Sequence, residues 1–148
     1  MKIIDCTLRD GGYHTKWNFD KDFLDSYFNL LKLNPYLESE IGYKRHSLSV
    51  DDSSLGKLAF CNSSFLNYLK KFNLKNKLWI MIDVKELKEL DLSPSDYLDN
   101  LLIFKKSLIP VNSIRLAVSL ENLNYAISLS KELIKRNDEV AINIMNIF

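Results

Sequence analysis

The side chains with the most chemistry in this chain are Arg9 and Asp10. They stand side by side after a short apolar run and in front of Gly11-Gly12, within KIIDCTLRDGGYH (2–14). A carboxylate is a hard oxygen donor suited to Mg²⁺ or Mn²⁺. A guanidinium binds a carboxylate or an enolate oxygen through a planar fork. The glycines let backbone approach a ligand closely or take positive φ. Other candidates of this kind are Glu40 with Gly42, Asp83, Arg115, and Asn143 with Asn146. Tyr13, His14 and His46 are the groups that could handle protons, and His14 and His46 both fall in segments read as loops.

Each candidate also has a plain structural reading. Arg9-Asp10 before two glycines also fits a charged turn. Asp83 could cap the helix after it, and Arg115 could be a buried partner of Glu40. Asn143 and Asn146 could satisfy backbone at a strand end. Cys6 fits a small buried hydrophobe, and Tyr13 fits a packing aromatic.

What positions these residues is an alternation of strands and helices. Residues 2–8 read as a short buried strand, with 9–19 as a loop. Phe23, Tyr27, Leu30 and Leu31 recur at helical spacing over 20–33, with Asp20 as N-cap and Asn34-Pro35 as the stop. A second strand is expected at 36–44, and a polar stretch with at most one helical turn at 45–60. A short helix follows at 62–72, capped by Asn62 or Ser63. The continuous apolar run KLWIMIDV (77–84) fits a strand buried on both faces. A helix at 92–108, a strand at 113–119, a helix at 120–137 and a strand at 139–148 complete the pattern. This β-α-β-α-β-α-β-α-β order predicts parallel strands with right-handed crossovers in one domain, 1–148. Periodicity alone leaves open a (β/α) barrel or a doubly wound sheet. The second has no G-x-G-x-x-G fingerprint to support it.

Composition narrows the function. The chain has 148 residues, 47% hydrophobic and 26% charged, so it can bury a core. Its formal net charge of +1 and the lack of a long basic stretch with interleaved aromatics argue against nucleic-acid binding. The basic LKKFNLKNK (69–77) reads as solvated surface. Two cysteines without a C-x-x-C spacing argue against a structural zinc or a secreted disulfide scaffold. No signal peptide and no membrane-length apolar run are evident, so a reducing cytoplasm is the expected location.

DCTLRDGGY (5–13) resembles the first-strand motif of the metal-dependent aldolase/lyase superfamily of TIM barrels, the hydroxymethylglutaryl-CoA lyase-like group. EIGYKR (40–45), IRLAV (114–118) and AINIMNI (141–147) resemble its second, fourth and fifth strands. The resemblance runs in order along the chain. Its GGY form is most similar to the 4-hydroxy-2-oxovalerate aldolase-like branch. It implies a divalent metal, Mg²⁺ or Mn²⁺, on Asp10, and Arg9 steadying the enolate oxygen of a pyruvate-type 2-oxo acid substrate. Substrate contacts are then expected from Arg115, Asp83, Asn143 and Glu40, and the glycines are expected to leave room for substrate.

Two departures accompany it. Tyr13 stands where the family's aldolases carry a histidine base, with His14 one residue later. No His-x-His pair supplies further metal ligands. The chain matches about five of the eight strands of a barrel, which usually takes about 250 residues. The expectation is therefore an incomplete barrel, weakly active or inactive alone, that forms a homo-oligomer or is completed by another chain. The alternative is a non-catalytic truncated or split subunit associating through its open sheet edge.

Overall fold

A computed structural model describes residues 3–45, 54–98, 111, 113–136 and 138–145. Five strands form one sheet: β1 (Ile3–Asp5), β2 (Leu37–Tyr43), β3 (Leu78–Asp83), β4 (Ser113–Ser119) and β5 (Glu139–Met145). All neighbouring pairs are parallel. The order is β1-β2-β3-β4-β5. Sequential order is the signature of a singly wound barrel, because a doubly wound sheet reverses direction at a switch point. The five strands curl into a half-barrel with helices between them, an incomplete (β/α) barrel.

The helices begin where capping chemistry allows. α1 is Thr7–Thr15 and α2 is Lys21–Leu33. Asp20 caps α2 by accepting from the Phe23 N–H at 2.7 Å. α3 (Lys57–Phe60) is a single turn, and α4 (Ser63–Leu69) is capped by Asn62, which accepts from the Phe65 N–H at 3.0 Å. α5 (Val84–Glu89) follows β3 directly, a helix the apolar periodicity did not suggest. Residues 94–98 are helical (α6), and the rest of the helix expected at 92–108 lies outside the described residues. α7 (Leu123–Lys135) follows a 3₁₀ turn at Leu120–Asn122.

Two further expectations are corrected. The segment after β1 is not a loop, because α1 begins two residues past the strand. The Asp5 carboxylate accepts from the Thr7 N–H at 2.8 Å and helps start the helix. The core stripe of α2 is Leu24, Phe28 and Leu31. Phe23 and Leu30, assigned to that stripe from spacing, are exposed.

The core has two parts. One gathers Leu8, Phe28, Ile41, Phe65 and Phe72 around β2. The other packs Leu116 and Val118 of β4 against Ala126, Leu129 and Leu133 of α7. Since side chains alternate along a strand, Arg115 and Ala117 point away from α7, to the concave side. Register puts Met81 and Ala141 beside Arg115, and Asp83 and Asn143 beside Ala117.

Candidate active site

The floor of the concave side is a buried carboxylate between two arginines. Glu40 is fully buried. Its Oε2 accepts from Arg9 Nε at 2.8 Å and from Arg115 Nη2 at 2.5 Å. These residues come from α1, β2 and β4, so only the fold brings them together. Glu40 and Arg115 stand midway along their strands rather than at the ends, and Arg9 reaches down from α1. Burial works against the Arg9 charge, but the hydrogen bond and charge of Glu40, helped by Asp10, outweigh it and raise its pKa. Cys6 Sγ lies 3.6 Å from Arg115 Nη2. Burial first, then the Glu40 charge, pushes its thiol pKa up, so it stays protonated at neutral pH. Among the described residues, Glu40 Oε1 and Arg115 Nε are buried without a hydrogen-bond partner. The floor therefore has one donor and one acceptor still to be satisfied among the described residues.

The helical form of α1 divides the motif. Residues four apart share a helix face. Arg9 and Tyr13 face β2, where Tyr13 shares a 2.5 Å hydroxyl–hydroxyl hydrogen bond with Tyr43. Asp10 and His14, also four apart, are exposed, and Asp10 pairs with the Arg9 guanidinium. Burial and the Tyr13 contact raise the Tyr43 pKa.

Above the floor, Tyr13, Trp17 and Tyr43 form a rim of edge-to-face rings with centroids 5.0–6.2 Å apart. Arg45 lies over two of them, 4.9 Å from Trp17 and 5.3 Å from Tyr43. The backbone is bent to seat Trp17: Lys16 and Trp17 have φ of 53° and 57°. Left-handed conformations at non-glycine residues cost about 1–3 kcal/mol each. A Cβ on Gly12 would lie 2.0 Å from Trp17 Nε1, and one on Gly56 would lie 1.9 Å from the Trp17 carbonyl oxygen. The room left by Gly12 is thus filled by the Trp17 indole, not by substrate. The aromatic rim is the part that spacing missed. Its only sequence trace is Tyr13 and Trp17 at i, i+4.

Asp83 and Asn143 share the concave face with Arg115 through their register with Ala117, but neither hydrogen-bonds to the floor among the described residues. The Asp83 carboxylate accepts from the Lys85 N–H at 2.9 Å and caps α5. Asn143 is exposed on β5. His46 and Asn146 lie outside the described residues. No cluster of three His, Cys, Asp or Glu able to hold a metal ion occurs among the described residues. Asp10 alone is one exposed oxygen ligand already paired with Arg9, so these residues do not make a metal cage. No helix among the described residues is long and apolar enough to cross a membrane.

The paired-arginine floor and the aromatic rim lie inside a half-barrel of parallel strands. No family model matches the chain, and no curated protein does. A solved structure does: the N-terminal domain of a "putative aldolase" from Bacteroides vulgatus, with TM-score 0.79 and 30% identity. The match covers 99% of this chain and 45% of that one, so the chain spans less than half of the solved relative. The likeness supports an aldolase-like fold and origin.

Proposed function

We propose that the chain is the N-terminal part of an aldolase acting on a 2-oxo acid, with pyruvate-type enolate chemistry of the 4-hydroxy-2-oxovalerate aldolase-like kind. The observation that carries this reading is the convergence of Arg9 and Arg115 on the single carboxylate of Glu40. Asp10 already balances the Arg9 charge, so what the floor offers an incoming anion is Arg115 Nε–H, a donor without a hydrogen-bond partner among the described residues. Retro-aldol cleavage takes a proton from the C4 hydroxyl and breaks C3–C4. The electron pair passes to the C2 oxygen as an enolate, and a proton then returns to C3. Preorganised donors at that oxygen are what accelerate such a step. Arg9 and Arg115 supply them, and the Tyr13–Tyr43 hydroxyl pair can relay the proton. The divalent ion implied by the motif, Mg²⁺ or Mn²⁺, would need donors beyond the described residues besides Asp10.

The test is deuterium exchange at the methyl group of pyruvate in D₂O, followed by NMR with and without added Mg²⁺ or Mn²⁺. Exchange above buffer that falls in Arg9→Met is expected, and dependence on both metal and Asp10, read in Asp10→Asn, would place the ion there. Exchange equal in wild type and Arg9→Met overturns the reading.

One observation favours a second reading, a non-catalytic subunit that associates through its flanks. Ile3 on edge strand β1 and Leu30 and Leu33 on α2 are exposed, as are Ile142 on edge strand β5 and Ile127 and Ile134 on α7. The exposed positions of the central helix α4 are polar: Ser63, Ser64 and Asn67. Apolar flanks beside strand edges that no other described strand pairs invite further βα units, from a second copy or another polypeptide. Sedimentation at rising concentration tests it, and a mass that stays monomeric argues against self-association.

A further inference from the structure

The rim holds a third guanidinium whose bonding is incomplete. Arg9 and Arg115 each donate to Glu40, whereas among the described residues the Arg45 guanidinium has one ion-pair partner, Glu86 Oε1, 3.7 Å from its Nε and beyond hydrogen-bond reach. That Nε is buried and has no hydrogen-bond partner among the described residues. The group is held on the faces of Trp17 and Tyr43, so little freedom is lost when an anion arrives. The Arg45 side chain is 20% exposed, so part of it can still meet a ligand. It follows the end of β2, five residues beyond Glu40, a span of at most about 17 Å between Cα atoms.

We propose that Arg45 is a specificity-determining residue that binds a second anionic group, so that the substrate is a dianionic 2-oxo acid. Its 2-oxo acid end rests on Arg9 and Arg115, and its far end reaches Arg45 at the rim. This rests on the 2-oxo acid reading and deepens it. The aromatic faces fix the plane of the guanidinium, which a carboxylate or a phosphate can then meet through two N–H groups. A role in packing alone would be served by any long apolar chain at this position.

The experiment is calorimetric titration of the whole chain with 2-oxoglutarate, 2-oxobutyrate and glutarate. Phosphohydroxypyruvate is added to separate a phosphate preference from a carboxylate one. Wild type is expected to bind 2-oxoglutarate or phosphohydroxypyruvate about tenfold more tightly than 2-oxobutyrate, the gain of one charge-assisted contact. In Arg45→Met the ratio should fall to about one, and Arg45→Lys, which keeps charge but not the planar fork, should retain part of it. Circular dichroism shows that the variants fold. If Arg45→Met does not, the ratio in Arg45→Lys decides. Binding of 2-oxobutyrate with no preference for a dianion overturns the proposal and leaves the 2-oxo acid reading standing. A preference that persists in Arg45→Met also overturns it. Glutarate bound as tightly as 2-oxoglutarate, and lost in Arg45→Met, removes the 2-oxo acid reading but keeps Arg45 as an anion site. No binding of any of the four overturns both.

Discussion

β2 and β5 are seven-residue strands of the same parallel sheet, and each carries candidate polar groups. Their fates differ. β2 lies inside the sheet, and six of its seven residues are buried. Glu40 is held there by two arginines. β5 is an edge whose burial is intermediate at best, and Asn143 on it has no side-chain hydrogen bond among the described residues. A polar residue on an edge strand can satisfy itself with water. One on an interior strand must be paired, so it becomes a fixed point around which others are arranged. The site grew at β2, where α1 and α3 pack against the strand and help bury it.

That contrast can be broken most directly at Glu40. Removing one member of a buried ion pair costs about 3–5 kcal/mol, and here two arginines would be left facing each other. Glu40→Ala should lose that much in urea unfolding, whereas Asn143→Ala should stay within about 0.5 kcal/mol of wild type. Equal losses at the two sites would remove the distinction between the strands.

Gly12→Ala is the next largest. Alanine normally helps a helix interior by about 0.5–1 kcal/mol over glycine. Here the new Cβ meets a buried indole at 2.0 Å, one hemmed in by Tyr13 and Tyr43, so overpacking of about 1–3 kcal/mol should win. A lower urea midpoint is expected, and a higher one would mean that Trp17 is not seated tightly on α1. Asp83→Ala comes third, with a loss of about 1 kcal/mol for the α5 cap. Thermal unfolding measures it. A normal melt would mean that the carboxylate is not needed as a cap.

The smallest effect is in the outer layer behind β2. Asp25 accepts from Tyr68 Oη and pairs with Lys71 Nζ, both at 2.5 Å. The Lys71 hydrogen bond, then that of Tyr68, lowers its pKa. The folded pKa lies below the unfolded value of about 3.9. Its contribution is therefore present above that pH and lost as pH falls through the lower folded value. The difference in urea midpoint between wild type and Asp25→Asn should persist at pH 7 and shrink below about pH 4. A difference that does not change with pH would rule out the ion pair as its source.

The sequence by itself determined the alternation of strands and helices, because burial on both faces of a parallel strand forces runs such as LWIMID and burial on one face forces the stripe of α7. Asp20 and Asn62 were legible as caps, since a capping side chain acts within three residues of its own position. Arg9, Glu40 and Arg115 were legible as candidates by type. Tertiary structure alone decided the rest. Whether the strands ran in barrel order depended on crossovers that local periodicity does not encode. The helix of α1 was hidden by two glycines, whose poor helix propensity is outweighed by packing against Trp17 and β2. The rim of Tyr13, Trp17, Tyr43 and Arg45 joins residues up to 32 positions apart, through contacts with no local signature. Local physics writes itself into neighbouring residues, whereas the pairing of Arg9 with Glu40 and Arg115 exists only once the sheet has curled.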